Sequence, residues 1–130
     1  MQEKKIVCAL LVNDSNHILL QDRKGISKYG EEWSFFGGGI EDGESPEDAL
    51  IRELQEELNW KPAKYSFIGE TKHTITDRSL LYHRYIYLVR WIEWKVWIDH
   101  EWSWAHFFPI SEIKKLKFNT SIEGELSLLY

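Results

Sequence analysis

The chain has 130 residues, of which 43% are hydrophobic and 28% are charged, and its formal net charge is −5. These values predict one globular domain over residues 1–130 and argue against a binder of nucleic acid polymers, which needs basic patches to replace phosphate counterions. No apolar run is long enough to cross a membrane, and the first residues lack the apolar core of a signal peptide. We therefore expect a cytoplasmic protein.

The first third of the chain predicts a hairpin followed by a short aromatic strand. Residues 6–12 are apolar and β-branched, an Asn-Asp-Ser-Asn turn follows them, and residues 17–21 read as the returning strand. After a polar loop, residues 33–36 form an aromatic strand that runs into three glycines. The single cysteine, Cys8, cannot form an intrachain disulfide, and its apolar surroundings predict a buried thiol rather than a nucleophile.

Residues 46–58 predict the main helix. Ser45 is a good N-cap, and Pro46 suits the first helical position because its missing N–H is not needed there. At the other end, Asn59 can take the left-handed conformation that usually falls to glycine, and Pro62 prevents continuation.

The second half of the chain is predicted to be mostly strand. β-Branched and aromatic residues favour strands at 65–71, 74–75, 80–97 and 102–108, with a hairpin turn at 77–78, a short turn or helix from 109, and a C-terminal helix at 121–129. This order predicts a mixed sheet covered by helices. The tryptophan-rich residues 91–104 are expected to pack in a core or a dimer interface rather than stack on bases, so both a monomer and a homodimer fit the sequence.

The densest chemical feature is a glycine-rich loop that leads into an acidic helix. Eight acidic residues fall between positions 38 and 57, where an even distribution of the 21 would place roughly three. On a helical wheel, Glu53, Glu56 and Glu57 share an arc of about 100° beside a leucine face. Like charges at these spacings destabilise a bare helix, and a hard divalent cation turns that repulsion into binding. Because no Cys or His shares the cluster, Mg²⁺ fits better than Zn²⁺, and Mn²⁺ is an alternative.

The simpler interpretation of this helix is a solvated acidic face. The adjoining loop argues against it, because Gly37 and Gly38 allow backbone groups to approach a ligand closely. Glu44 lies beside the positive end of the helix, and Arg52 can reach Glu56 at i+4 and orient its carboxylate. The loop, the cap, the arginine and the acids together favour a ligand site.

The loop and helix resemble the Nudix box, G-x5-E-x7-R-E-U-x-E-E-x-G-U, in which U is a bulky apolar residue. The matching residues are Gly38, Glu44 and the run Arg52-Glu53-Leu54-Gln55-Glu56-Glu57-Leu58-Asn59-Trp60. Only Asn59 departs from the pattern, where it replaces the last glycine. The resemblance spans 23 of the 130 residues. It implies an α/β (α+β) protein, an α/β/α sandwich with a mixed sheet, and Mg²⁺-dependent hydrolysis of a nucleoside diphosphate linked to another group.

The resemblance also implies roles for individual residues. The metal ligands would be Glu53, Glu56, Glu57 and the carbonyl of Gly37 or Gly38, with Arg52 and Glu44 supporting them. A catalytic base often lies outside the box in this family. Glu101 is the candidate here, with His100 and Glu57 as rivals.

Substrate choice is less strongly indicated. The layout is most similar to the MutT type, which converts damaged nucleoside triphosphates to monophosphate and pyrophosphate. The positions that would contact the nucleotide are Arg23, Phe35, Arg78 and Asn119. Asn119 would pair with a purine edge, and either arginine would bind phosphate, although each of these residues is by itself more typical of a surface.

Three other readings stay open. The same chemistry could act on ADP-ribose-like compounds or dinucleoside polyphosphates, since residues 91–104 depart from the MutT type. A non-catalytic Nudix module that binds a nucleotide is a second alternative, although such modules usually have degenerate boxes. A Ca²⁺-stabilised structural protein is a third, and its usual EF-hand loop differs from glutamates on a regular helix.

Overall fold

The computed structural model describes residues 2–23, 32–90 and 105–116. Within these residues, seven strands form one mixed sheet, and one α-helix packs on a face of it. The strands are β1 Gln2–Val12, β2 His17–Asp22, β3 Trp33–Ser34, β4 Phe36–Gly39, β5 Tyr65–Ile75, β6 Leu80–Arg90 and β7 Ala105–Pro109. The helix α1 is Pro46–Leu58, and 3-10 turns cover Thr76–Arg78 and Ile110–Lys115.

Strand β1 is the centre of the sheet. It pairs in parallel with β6 over its whole length, from Gln2 opposite Leu80 to Val12 opposite Arg90. It pairs antiparallel with β2 and β4, while β5 pairs antiparallel with β6 and β7 with β2. A strand with neighbours on both edges and cover on both faces is buried, which explains the unbroken apolar run in β1.

Alternation along β1 divides the core into two layers. In the buried half of β1, the odd-numbered side chains from Val7 to Leu11 pack under α1 with its buried residues. The even-numbered side chains from Cys8, at 4% exposure, to Val12 pack in the opposite layer with β2 and the second 3-10 turn. The prediction of a buried Cys8 is confirmed.

Most predicted elements are confirmed, and several bounds differ. Helix α1 has the predicted limits, whereas the first strand begins at residue 2 rather than 6. The predicted strands at 65–71 and 74–75 are one continuous β5, so that division is wrong. The aromatic segment at 33–36 is divided between β3 and β4.

Other predictions lie outside the described residues. They concern residues 91–104 and the C-terminal helix at 121–129. In the part of the chain that the structure describes, no helix combines the length and the apolar character needed to cross a membrane.

Candidate functional site

The ends of α1 are set by local chemistry that the sequence already indicated. Ser45 has extended backbone angles, φ −78° and ψ 158°, and its Oγ accepts a hydrogen bond from the Asp48 N–H at 3.1 Å. At the other end, Asn59 is left-handed, with φ 53° and ψ 43°, and its N–H donates to the Gln55 carbonyl at 3.0 Å. These caps and the buried leucine face fix the rotation of the helix. The acidic arc is thereby directed along the glycine-rich strand β4.

Two glycines of β4 are required by close approaches. Gly37 has φ 131°, and a Cβ atom at this position would overlap the carbonyl oxygen of Val7. A Cβ atom on Gly38 would lie 2.6 Å from the carboxyl carbon of Glu53. The lack of side chains therefore lets β4 pair with β1 on one side and receive a helix carboxylate on the other.

Arg52 connects the loop before the helix, strand β4 and the carboxylates of α1. Its Nε and Nη2 donate to the two carboxylate oxygens of Glu44 at 2.8 and 2.9 Å, and Nη2 also donates to the carbonyl of Gly39 at 2.9 Å. Its Nη1 donates to Glu53 at 2.9 Å and to Glu56 at 3.4 Å. The two-pronged contact with Glu44 is the strong arrangement for arginine and carboxylate. It ties the loop before the helix to the middle of the helix.

These contacts shift the pKa values of both Glu44 and Arg52. The hydrogen bond from Arg52, with a second from the backbone of Glu41, lowers the pKa of Glu44 to about 2. The same contact raises the pKa of Arg52 above its ordinary value. The predicted contact between Arg52 and Glu56 is present, but the shorter bonds to Glu44 make Glu44 the main partner of Arg52.

Glu57 is a partly buried carboxylate that two donors hold. The N–H of Gly37 donates to its Oε1 at 3.1 Å, and the Nε2 of Gln21 donates to its Oε2 at 3.4 Å. Burial, with smaller contributions from the charges of Glu53 and Glu56, raises the pKa of Glu57 to about 7 despite these donors. The three glutamates are therefore close enough to repel one another.

Gln21 is a site residue that sequence reasoning missed. It lies on β2, and its amide also donates to the carbonyl of Phe35 at 3.5 Å. Strand alternation places it on the same face as the buried Leu19, under α1. No local pattern pairs it with Glu57, because 36 residues separate the two.

The residues predicted to contact a nucleotide are not all near one another. Phe35 packs against the core layer opposite α1, and the N–H of Arg23 donates to the Glu32 carbonyl at 2.7 Å, beside the end of β2. Arg78 is exposed on the 3-10 turn before β6. The register of β1 places that turn beside Gln2, at the start of the strand, whereas β4 pairs with Ile6 to Ala9, roughly 13 to 23 Å further along. Asn119, Glu101 and His100 lie outside the described residues.

The sequence and the fold were compared with known proteins. The family profile described as NUDIX domain matches residues 3–127 of this chain. The chain belongs to the Nudix family. The mixed α+β architecture described above is accordingly a Nudix fold, as predicted.

Named relatives of this Nudix chain include two nucleotide hydrolases. The 8-oxo-dGTP diphosphatase of Escherichia coli (strain K12) is 32% identical over 80 residues, which cover 62% of this chain and 62% of that protein. Nucleoside triphosphatase NudI of Escherichia fergusonii is 43% identical over 63 residues, covering 47% of this chain and 43% of that protein. The chain thus matches less than two thirds of the length of either relative.

A solved structure extends the likeness to the whole fold. The MutT NUDIX hydrolase from Burkholderia pseudomallei superimposes with a TM-score of 0.74 at 21% identity, covering 99% of this chain and 98% of that one. At this identity the comparison shows a shared fold.

Nudix proteins generally use a divalent metal ion, and the donor set of this box suits one. Among the described residues, no three Asp, Glu, His or Cys side chains already surround a common point. Arg52 instead holds Glu53 and Glu56, and Glu57 is bound to Gly37. All the available donors are oxygens, which a hard cation prefers. Burial first, and then the charges of Glu53 and Glu56, disfavour the ionised form of Glu57, and a bound cation would favour that form. The residues therefore fit a divalent ion.

Proposed function

We propose that this protein is a single Nudix domain over residues 1–130 that hydrolyses a nucleoside triphosphate to monophosphate and pyrophosphate with Mg²⁺. The observation that carries the proposal is the complete carboxylate set of α1 beside the close-packed glycines of β4. The names of the relatives, an 8-oxo-dGTP diphosphatase and a nucleoside triphosphatase, support this substrate class. The same proposal takes a small nucleotide as the partner, as a monomer or homodimer.

Within the proposal, each box residue has a physical role. The metal would be held by Glu53, Glu56, Glu57 and the carbonyl of Gly37 or Gly38. Mg²⁺ is favoured by the all-oxygen donor set, and Mn²⁺ shares this preference. When bound, the ion neutralises the diphosphate and lowers the pKa of an attacking water.

Arg52 and Glu44 are proposed as positioning residues. Arg52 spans from Glu44 and the Gly39 carbonyl to Glu53 and Glu56. Because every arm of the guanidinium is engaged, it orders the loop and the helix carboxylates together. This order is needed before substrate arrives, since misplacement by even 1 Å can cost about 100-fold in rate.

The catalytic base is proposed to be Glu101, with His100 and Glu57 as alternatives. Glu57 is supported by its geometry, because the Gly37 N–H and the Gln21 amide hold its partly buried carboxylate in one orientation.

Nucleotide contacts are proposed for Arg23, Phe35, Arg78 and Asn119. Support is strongest for Phe35, because Gln21 links its carbonyl to the carboxylate of Glu57. Arg23 follows the same strand, β2, by one residue. The backbone of Phe35 therefore lies next to the carboxylates, whereas its ring packs in the opposite core layer.

The decisive experiment is a hydrolysis screen with Mg²⁺ that measures pyrophosphate against phosphate. It should include nucleoside triphosphates, ADP-ribose and dinucleoside polyphosphates. We expect Glu53→Gln and Glu57→Gln to lower turnover at least about 100-fold with the fold retained. Glu47→Gln is the matched control, because Glu47 lies on the same helix but hydrogen-bonds Tyr65 instead.

Two results would count against the proposal. Parent-like turnover by either glutamine variant would refute the metal assignment. Nucleotide binding without cleavage of any diphosphate compound would favour the non-catalytic module.

A further inference from the structure

A second concave surface lies at the other end of α1 from the acidic arc. It is a groove of about 590 Å³ between the start of the helix and strands β5 and β6. Its lining residues are Glu47, Ala63, Lys64, Tyr65, Ser66, Phe67 and Tyr87. We refer to it as the aromatic groove.

Three rings form the walls of the aromatic groove. The ring of Tyr87 meets Tyr65 edge to face at 6.2 Å between centroids, and it meets Phe67 in the same way at 5.4 Å. No two of these contacting rings are parallel, so together they form an open corner. Tyr87 is only 8% exposed and forms the floor, whereas Phe67 is 50% exposed and stands at the rim. Because Phe67 is half exposed and stands beside two other rings, the groove presents an accessible aromatic surface.

One carboxylate is directed into this corner. The hydroxyl of Tyr65 donates to Oε2 of Glu47 at 2.7 Å, which fixes both groups. This hydrogen bond is the main reason that the pKa of Tyr65 is raised. Burial and then the charge of Glu47 raise the pKa of Tyr87. The negative charge of Glu47 therefore acts on two of the three rings.

Lys64 is the opposing charge on the lining. It is exposed at the entrance to β5, so its flexible ammonium group can remain in water while the stem covers apolar surface. The fixed charge in the groove is thus that of Glu47.

The aromatic groove is separate from the proposed catalytic residues. Glu47 precedes Glu57 by ten positions, which corresponds to about 15 Å along a helix axis. The helix caps hold this separation rigidly.

We propose that the aromatic groove binds a small organic cation that carries an alkylated ammonium group. Aromatic faces attract such cations through the ring quadrupole, and a neighbouring carboxylate complements their charge. An anion would be repelled by Glu47, and a neutral apolar ligand would leave that carboxylate without a role. The open volume beyond the three rings accommodates the remainder of the ligand.

The test uses choline as the probe and 3,3-dimethylbutan-1-ol as its uncharged isostere. Each is titrated into the full chain while the aromatic side-chain resonances are followed by NMR. We expect saturable shifts with choline and at least about three-fold weaker binding of the alcohol. Absence of saturable binding, or equal binding of the two compounds, overturns the proposal.

Variants localise the binding. Phe67→Ala should weaken choline binding about three-fold or more. Phe107→Ala is the matched control, because Phe107 is the other exposed large hydrophobic residue among the described residues, at 36% exposure. Choline binding that is unchanged in Phe67→Ala contradicts the proposal. Because Phe67 is half exposed, this variant is expected to fold.

Charge variants test the electrostatic part. Glu47→Gln keeps an acceptor for the Tyr65 hydroxyl but removes the charge, so it should weaken choline binding, while Glu112→Gln, another exposed glutamate, should not. Lys64→Met should strengthen choline binding, because it removes a positive charge from the lining.

A further experiment titrates a short peptide that contains trimethyllysine. Binding of this peptide at least about ten-fold tighter than choline would assign the groove to a protein side chain and overturn the small-molecule source.

Discussion

Glu57→Gln should remove a pH dependence of stability that the folded structure imposes. Burial raises the pKa of Glu57 from 4.5 to about 7. The folded protein therefore holds this proton more tightly than the unfolded chain does. The resulting stabilisation is fully present below pH 4.5 and is lost as the pH rises through about 7. Glutamine cannot ionise, so the free energy of unfolding of the variant does not fall for this reason as the pH rises.

The magnitude follows from the size of the shift. One pKa unit corresponds to about 1.4 kcal/mol, so the whole shift is worth about 3 kcal/mol, of which about 2 kcal/mol falls between about pH 5 and about pH 7.5. The lowered pKa of Glu44 acts in a different window. Its stabilisation is present above pH 4.5 and is lost as the pH falls toward 2.

The assay is urea unfolding in EDTA, followed by tryptophan fluorescence, at about pH 5 and about pH 7.5. Over this interval the free energy of unfolding of Glu57→Gln should rise by about 2 kcal/mol relative to the parent. Glu112→Gln, an exposed glutamate variant, should track the parent at both pH values. An equal pH response of Glu57→Gln and the parent would refute the burial argument.

Two further predictions concern the backbone of the site. Gly38→Ala places a methyl group 2.6 Å from the carboxyl carbon of Glu53, so turnover should fall about 10- to 100-fold while the fold is retained. A Cβ atom on Gly39 would have no atom within 4 Å, so Gly39→Ala should change turnover little. Asn59→Ala forces alanine into the left-handed conformation at φ 53° and should cost about 1 kcal/mol in urea unfolding relative to Asn59→Gly. Equal stability of these two variants would contradict the capping argument.

Local rules were enough to predict helix α1. Its N-cap, its first proline, its left-handed C-cap residue and its leucine face are all short-range patterns, and each is observed. The strands were predicted less well at their ends. Pairing partners extend β1 to Gln2 and merge the two halves of β5, and such partners are distant in sequence.

The functional site likewise has features that short-range patterns predict and features that depend on distant segments. A helical wheel grouped Glu53, Glu56 and Glu57, because spacing along a helix fixes direction. It could not rank the partners of Arg52, since Glu44 and the Gly39 carbonyl reach it only after the loop folds back.

By itself, the sequence determined which residues carry the chemistry: the acidic helix, its caps and the glycines that precede it. Only the tertiary structure decided how those residues differ. Glu57 is partly buried against β4 with Gln21 from β2, whereas Glu56 remains exposed. The start of α1 meets β5 and β6 to form the aromatic groove. The reason is physical. Local backbone preferences depend on neighbours within about one helical turn, whereas burial, pKa values and cavities depend on segments that only folding brings together.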